Sequence, residues 1–130
     1  MDLCVYDGVV YAITQGELTW NVIDLTGGTV LYTSPLLLTC IAASPAGLGI
    51  IAVQEGNDPE TGTYYTDQLL VSLSFTGALL REQNVPAIAG SQNSVVCLCY
   101  DAQGNTYLDF NGFVGVLDAQ GTWLGSVAPE

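Results

Sequence analysis

With 130 residues and 13.7 kDa the chain has the length of one domain with its own core, and 49% apolar against 11% charged residues excludes intrinsic disorder. Thirteen Asp and Glu, one Arg and no Lys or His leave a net charge of -12, which excludes a basic face for nucleic acid or an anionic membrane. The same counts exclude a His-assisted nucleophile and its Lys-based variants.

The chain opens Met1-Asp2-Leu3-Cys4 with no positive n-region, so no signal peptide is expected and the expected location is cytoplasmic. Short runs rich in Val, Ile, Leu, Thr and Tyr follow, at 3–6, 9–14, 18–23 and 29–33. Asp7-Gly8, Gln15-Gly16 and the 24–28 segment break them, and Gly, Asn and Asp supply the backbone conformations that tight hairpins need. The stretch 25–54 is uncharged and long enough to span a bilayer, but Pro35, Pro45, Gly47 and Gly49 interrupt it, so it reads as strands joined by turns. Further strands are expected at 37–42, 48–53, 68–73 and 78–83, with turns at 44–47 and 74–77 and a polar insertion over 55–67. The last four, at 95–100, 106–110, 113–117 and 122–127, are joined through Asp101, Asn111-Gly112 and Asp118 turns. The class is all-β.

This is one four-strand pattern read three times. The turns at Asp7 and Asp24 lie 17 residues apart, as do those at Asp101 and Asp118, while those at Ser44 and Ser74 lie 30 apart, so the middle copy carries about 13 extra residues. Turns at Asp24, Ser74 and Asp118 recur at intervals of 50 and 44, the period of a four-stranded blade. The expected architecture is a single domain of three β-propeller-like blades, at about 1–34, 35–87 (insertion 55–67) and 88–130. A self-closed β-sandwich or barrel is the alternative. The runs 101–108 and 116–124 resemble a blade of the NHL or gluconolactonase-like propellers, and 24–32 is similar to the outer turn of quinoprotein-type blades. Lactonase-type propellers hold a metal in the central channel with acidic and amide side chains, and no set in this sequence maps onto theirs residue by residue.

Three blades leave two sheet faces open. Association with further copies of the chain is therefore expected, most simply as two chains forming a six-bladed ring, together with contact to another protein of an assembly. The expected function is that of a non-catalytic assembly protein, with a virion component such as a capsid decoration or tail protein as one setting. A lectin built from few-blade subunits is the first alternative and a lactonase-like metal enzyme the second. An acidic mimic of nucleic acid ranks last, since the carboxylates are dispersed in turns.

The insertion supplies the candidate partner-contact residues: Glu55, Asp58, Glu60 and Asp67, with Tyr64 and Tyr65 as an aromatic tip. Its carboxylates are also a candidate Ca²⁺ set, although without EF-hand spacing and against the reading of a solvated loop, and no other cofactor is expected. Trp20 and Trp123 are the candidate glycan platforms, against the reading that strand aromatics pack between blades. Asp109 lies mid-strand, where alternation sets it opposite Leu108 and Phe110 and favours a solvated position over a catalytic acid. Cys4, Cys40, Cys97 and Cys99 lack paired C-x-x-C spacing and are expected as buried free thiols, with Cys97 and Cys99 on one strand face.

Overall fold

The computed structural model describes residues 2–85, 95–110 and 112–127. Asn111 of the expected Asn111-Gly112 turn, the stretches 86–94 and 128–130, and the side chains of Tyr65 and Thr66 lie outside the described residues. Twelve strands form three four-stranded antiparallel meanders, and no helix occurs among the described residues. The first blade comprises β1 (Asp2–Tyr6), β2 (Val9–Gln15), β3 (Trp20–Asp24) and β4 (Thr29–Ser34). The second comprises β5 (Leu37–Ser44), β6 (Gly47–Asn57), β7 (Tyr64–Leu73) and β8 (Leu79–Asn84). The third comprises β9 (Cys97–Tyr100), β10 (Thr106–Asp109), β11 (Val114–Leu117) and β12 (Trp123–Val127).

Tight turns set the ends of the strands in each meander. At the first hairpin Asp7 and Gly8 both take positive φ, 49° and 78°, which matches the twist of the flanking strands. A second turn type recurs at three places. Asp101 Oδ1 accepts from the N–H groups of Gln103 and Asn105 at 3.0 and 2.9 Å, and Asp118 Oδ1 from those of Gln120 and Thr122 at 2.9 and 2.8 Å. Ser74 Oγ does the same for Thr76 and Ala78 at 3.3 and 3.0 Å. In each, a glycine three residues on donates to the carbonyl of the first residue.

Asp101 accepts two further bonds, from Asn105 Nδ2 at 2.9 Å and the Tyr107 hydroxyl at 3.0 Å. The Asn105 amide and the other donors hold its carboxyl below the usual aspartate value. A carboxyl lowered in this way contributes stability above the unfolded-state pKa and loses it as pH falls through the folded one. Asp101→Ala is therefore expected to lower the melting temperature at pH 7 more than Asp118→Ala does. The gap to the unsubstituted chain should narrow below the normal aspartate range, which thermal melts across pH 2 to 7 would check.

The blades stack in chain order, with β1 beside β5 and β5 beside β9. One apolar cluster lies between the first and second blades, built on Tyr11, Ile13, Val22, Ile50 and Val71. The other lies between the second and third, built on Cys40, Ile51, Leu70, Leu98, Leu108 and Leu117. The middle blade is thus covered on both faces, so Ile50 and Ile51, adjacent on β6, are both fully buried and point to opposite clusters. This is the physical reason for the long uncharged stretch in the sequence. No helix among the described residues is long and apolar enough to cross a membrane.

The 55–67 insertion departs from expectation. It is a β-ribbon, not a loop: β6 and β7 stay paired out to Asn57 opposite Tyr64. Thr63, Tyr64, Tyr65 and Thr66 are residues that favour extended backbone, and Pro59 and Gly62 fall inside the closing turn, where they do not interrupt pairing.

Candidate functional site

The flanking blades each turn one face outward. On the first blade, pairing puts Leu3 opposite Ala12 and Ile23, and Val5 opposite Val10, with Val30 beside Ile23. Thr14, Asn21 and Thr33 complete this face, which carries no charged strand residue. Leu3, Val5 and Val30 are 52%, 59% and 58% exposed. The opposite face of the same strands is the one that packs on the second blade.

The third blade repeats the arrangement in reverse. Leu98, Leu108 and Gly115 face the middle blade, so their neighbours Cys97, Asp109, Val114 and Val127 form the outer row and Cys99, Tyr107 and Val116 the next. Val114 and Val127 are exposed. Asp109 lies opposite Leu108 and Phe110 as expected, and its Oδ2 accepts a hydrogen bond from the Cys97 thiol at 3.6 Å.

All four cysteines are free and lie on β1, β5 and β9, the first strand of each blade. The shared face of Cys97 and Cys99 agrees with expectation, but their burial does not. Leu98 takes the core side of β9 and leaves both thiols exposed, while Cys40 is buried and Cys4 half-buried. Burial pushes the Cys4 and Cys40 thiols up to about 11. Cys97 is also raised, first by desolvation and then by its bond to Asp109. Since the thiolate is the nucleophile, iodoacetamide at pH 7.5 should modify Cys97 and Cys99 before Cys4, and Cys40 last. Asp109→Asn removes the charge that holds the Cys97 proton, and should speed alkylation of that residue several-fold in peptide-resolved mass spectrometry.

The candidate partner-contact residues lie on or beside the ribbon, which extends about 10 Å beyond the point where Gln54 pairs with Asp67. Glu55 and Tyr64 share one face, whereas Asp67 and the backbone position of Tyr65 belong to the other. Asp58 closes the turn: its Oδ1 accepts from the Glu60 N–H at 2.8 Å, and its own N–H donates to the Thr63 carbonyl at 2.8 Å. Glu55, Glu60, Tyr64 and Asp67 are exposed. Among the described residues no three His, Cys, Asp or Glu side chains stand together as a metal-binding group. Trp20 and Trp123 are half-buried and pack against the first and the second cluster respectively. They stand at different blade junctions and do not share a platform.

Sequence reasoning expected two open sheet faces but did not name the residues that form them. Alternation places Leu3 with Val5 and Cys97 with Cys99, but parity alone does not say which side the neighbouring blade covers.

No family model and no curated protein matches the sequence. Among solved structures, the chain is similar to a gluconolactonase from Xanthomonas campestris, with 17% identity and a TM-score of 0.56 over 98% of this chain and 46% of that one. A protein of unknown function from Bacteroides caccae matches at 13% identity and a TM-score of 0.41, over 91% of this chain and 57% of that one. The chain thus spans about half the length of the solved structures it matches. The gluconolactonase likeness and the three stacked four-stranded meanders establish an all-β, propeller-like fold whose three sheets do not close on themselves.

Proposed function

We propose that this chain is a non-catalytic propeller module that works through protein–protein contacts, two copies closing one six-bladed ring. The observation that carries the reading is the uncharged, apolar outer face of the first blade, set at one end of a stack whose other end is the open face of the third blade. A propeller closes with four to eight blades, and an exposed sheet face of this composition is a surface that seeks a partner. The gluconolactonase covers two lengths of this chain, which fits a ring of twice three blades. Total accessible surface agrees: 7347 Å² is about a tenth above the ~6,600 Å² expected of a closed monomer of this mass.

In the ring, the first-blade face of each copy meets the third-blade face of the other. Both junctions are then of one kind, and the assembly has a twofold axis. The ribbon stays outside both junctions, where Tyr64, Glu55 and Glu60 offer an aromatic group beside carboxylates to another protein of the assembly. The absence of His and Lys from the sequence removes the His-assisted and Lys-based nucleophilic routes, which fits a non-catalytic role.

Native mass spectrometry of the 130-residue chain at micromolar concentration tests the reading. A dimer that persists in EDTA is the expected result. A strictly monomeric 13.7 kDa species would overturn it, and a dimer dissolved by EDTA would replace sheet packing with a metal as the bridging element.

A further inference from the structure

The chain's single basic side chain lines a cleft, and among the described residues no carboxylate pairs with it. Arg81 lies on β8, and Gln83 beside it reaches across the second blade junction to donate from Nε2 to the Gly121 carbonyl at 3.0 Å. Gly121 takes φ +86°, and a methyl there would come within 2.8 Å of Arg81 Cζ. The bare glycine therefore lets the guanidinium lie against the β11–β12 turn. Thirteen carboxylates surround one cation in this sequence, yet among the described residues none pairs with Arg81, and its Nε is buried without a hydrogen-bond partner. In the turns beside the cleft, Asp101 accepts from its own turn through both carboxylate oxygens and Asp118 through Oδ1.

The cleft has a volume of about 260 Å³ and opens between the turns at 44–47 and 102–104. Ser72, Tyr100 and Thr106 line it together with Arg81. Tyr100 fits because β6 has no side chain at Gly49: a Cβ there would collide with the Tyr100 hydroxyl. Burial raises the Tyr100 hydroxyl above the usual tyrosine value, with Thr106 and Arg81 pulling the other way, so it stays protonated. The Tyr100 proton is left to donate. The lining is thus a fork of guanidinium donors beside a phenol, without a competing anion.

We propose that this cleft binds a small monocarboxylate, with Arg81 as anchor and Tyr100 as second donor. A planar carboxylate matches the guanidinium fork, and its charge complements a half-buried cation that no carboxylate among the described residues pairs with. The volume is several times the ~30 Å³ share of one water molecule, enough for a small organic acid. The net charge of -12 favours a monoanion over a dianion. The site lies within one chain and does not depend on ring closure.

The test is an amide-resolved NMR titration of the 130-residue chain at constant ionic strength with acetate, lactate, inorganic phosphate and acetamide. Acetate or lactate should give saturable shifts centred on Ser72, Arg81, Tyr100 and Thr106, and acetamide none. Arg81→Met should weaken binding at least tenfold and Tyr100→Phe several-fold. Should Arg81→Met not fold, Arg81→Lys keeps the charge but loses the fork, and is expected to bind several-fold more weakly. Shifts that do not saturate, an affinity indifferent to Arg81 substitution, or tighter binding of phosphate than of either carboxylate would overturn the proposal.

Discussion

Truncating Ile50 or Ile51 to alanine is expected to destabilise the chain by about 2–5 kcal/mol in each case, with each loss felt on a different side of the molecule. Both residues are fully buried, and removing three carbons from either leaves a cavity in a cluster whose other walls are strand side chains held by the sheet. A domain of this size is stable by only about 5–15 kcal/mol, so either substitution removes a large fraction of the total. Urea unfolding should show the midpoint falling with little change in slope. The two tryptophans separate the effects. Trp20 packs on the cluster that holds Ile50, and Trp123 on the cluster that holds Ile51. In single-tryptophan backgrounds, Ile50→Ala should move the native emission of Trp20 and leave Trp123 alone, while Ile51→Ala does the reverse. Both substitutions acting on one tryptophan would contradict a middle blade shared by two cores.

The strands were legible because their boundaries are written in turn chemistry. Each of the twelve runs read from Val, Ile, Leu, Thr and Tyr clusters coincides with a strand, and the turns at Ser74, Asp101 and Asp118 of the second and third blades share one hydrogen-bond pattern, while Asp24 in the first blade caps its turn differently. Ends were less secure where a signal is shared by two states. Tyr64 and Thr66 favour strand as strongly as any residue of the core, but Pro59 and Gly62 in the same segment suggested a loop. Only the pairing across the ribbon resolves that conflict. The placement of Cys97 and Cys99 failed for another reason. A C-x-C spacing puts two side chains on one face, and which face is covered depends on a blade some 50 residues away in sequence. Arg81 was unreadable on the same ground, since whether a carboxylate reaches it depends on how the second and third blades pack.

The two open faces give the assembly its sharpest test. Val5→Glu places a carboxylate on an uncharged face, and Val114→Glu sets a second one directly opposite Asp109 on the face of the third blade. Within one chain both positions are exposed, so each substitution should leave the monomer's stability nearly unchanged. Across a closed junction the same carboxylate would be buried without a basic partner, because the only cation of the chain lies at the inner blade junction. Each variant alone is therefore expected to run as a monomer in light-scattering chromatography at concentrations where the unsubstituted chain is dimeric. Mixing the two variants distinguishes how the faces meet. If the first blade of one copy packs on the third blade of the other, a mixed pair retains one junction with both faces intact and should recover association, though more weakly than a closed ring. If like faces meet instead, one variant would stay dimeric on its own, and the twofold ring of first-on-third junctions would have to be abandoned.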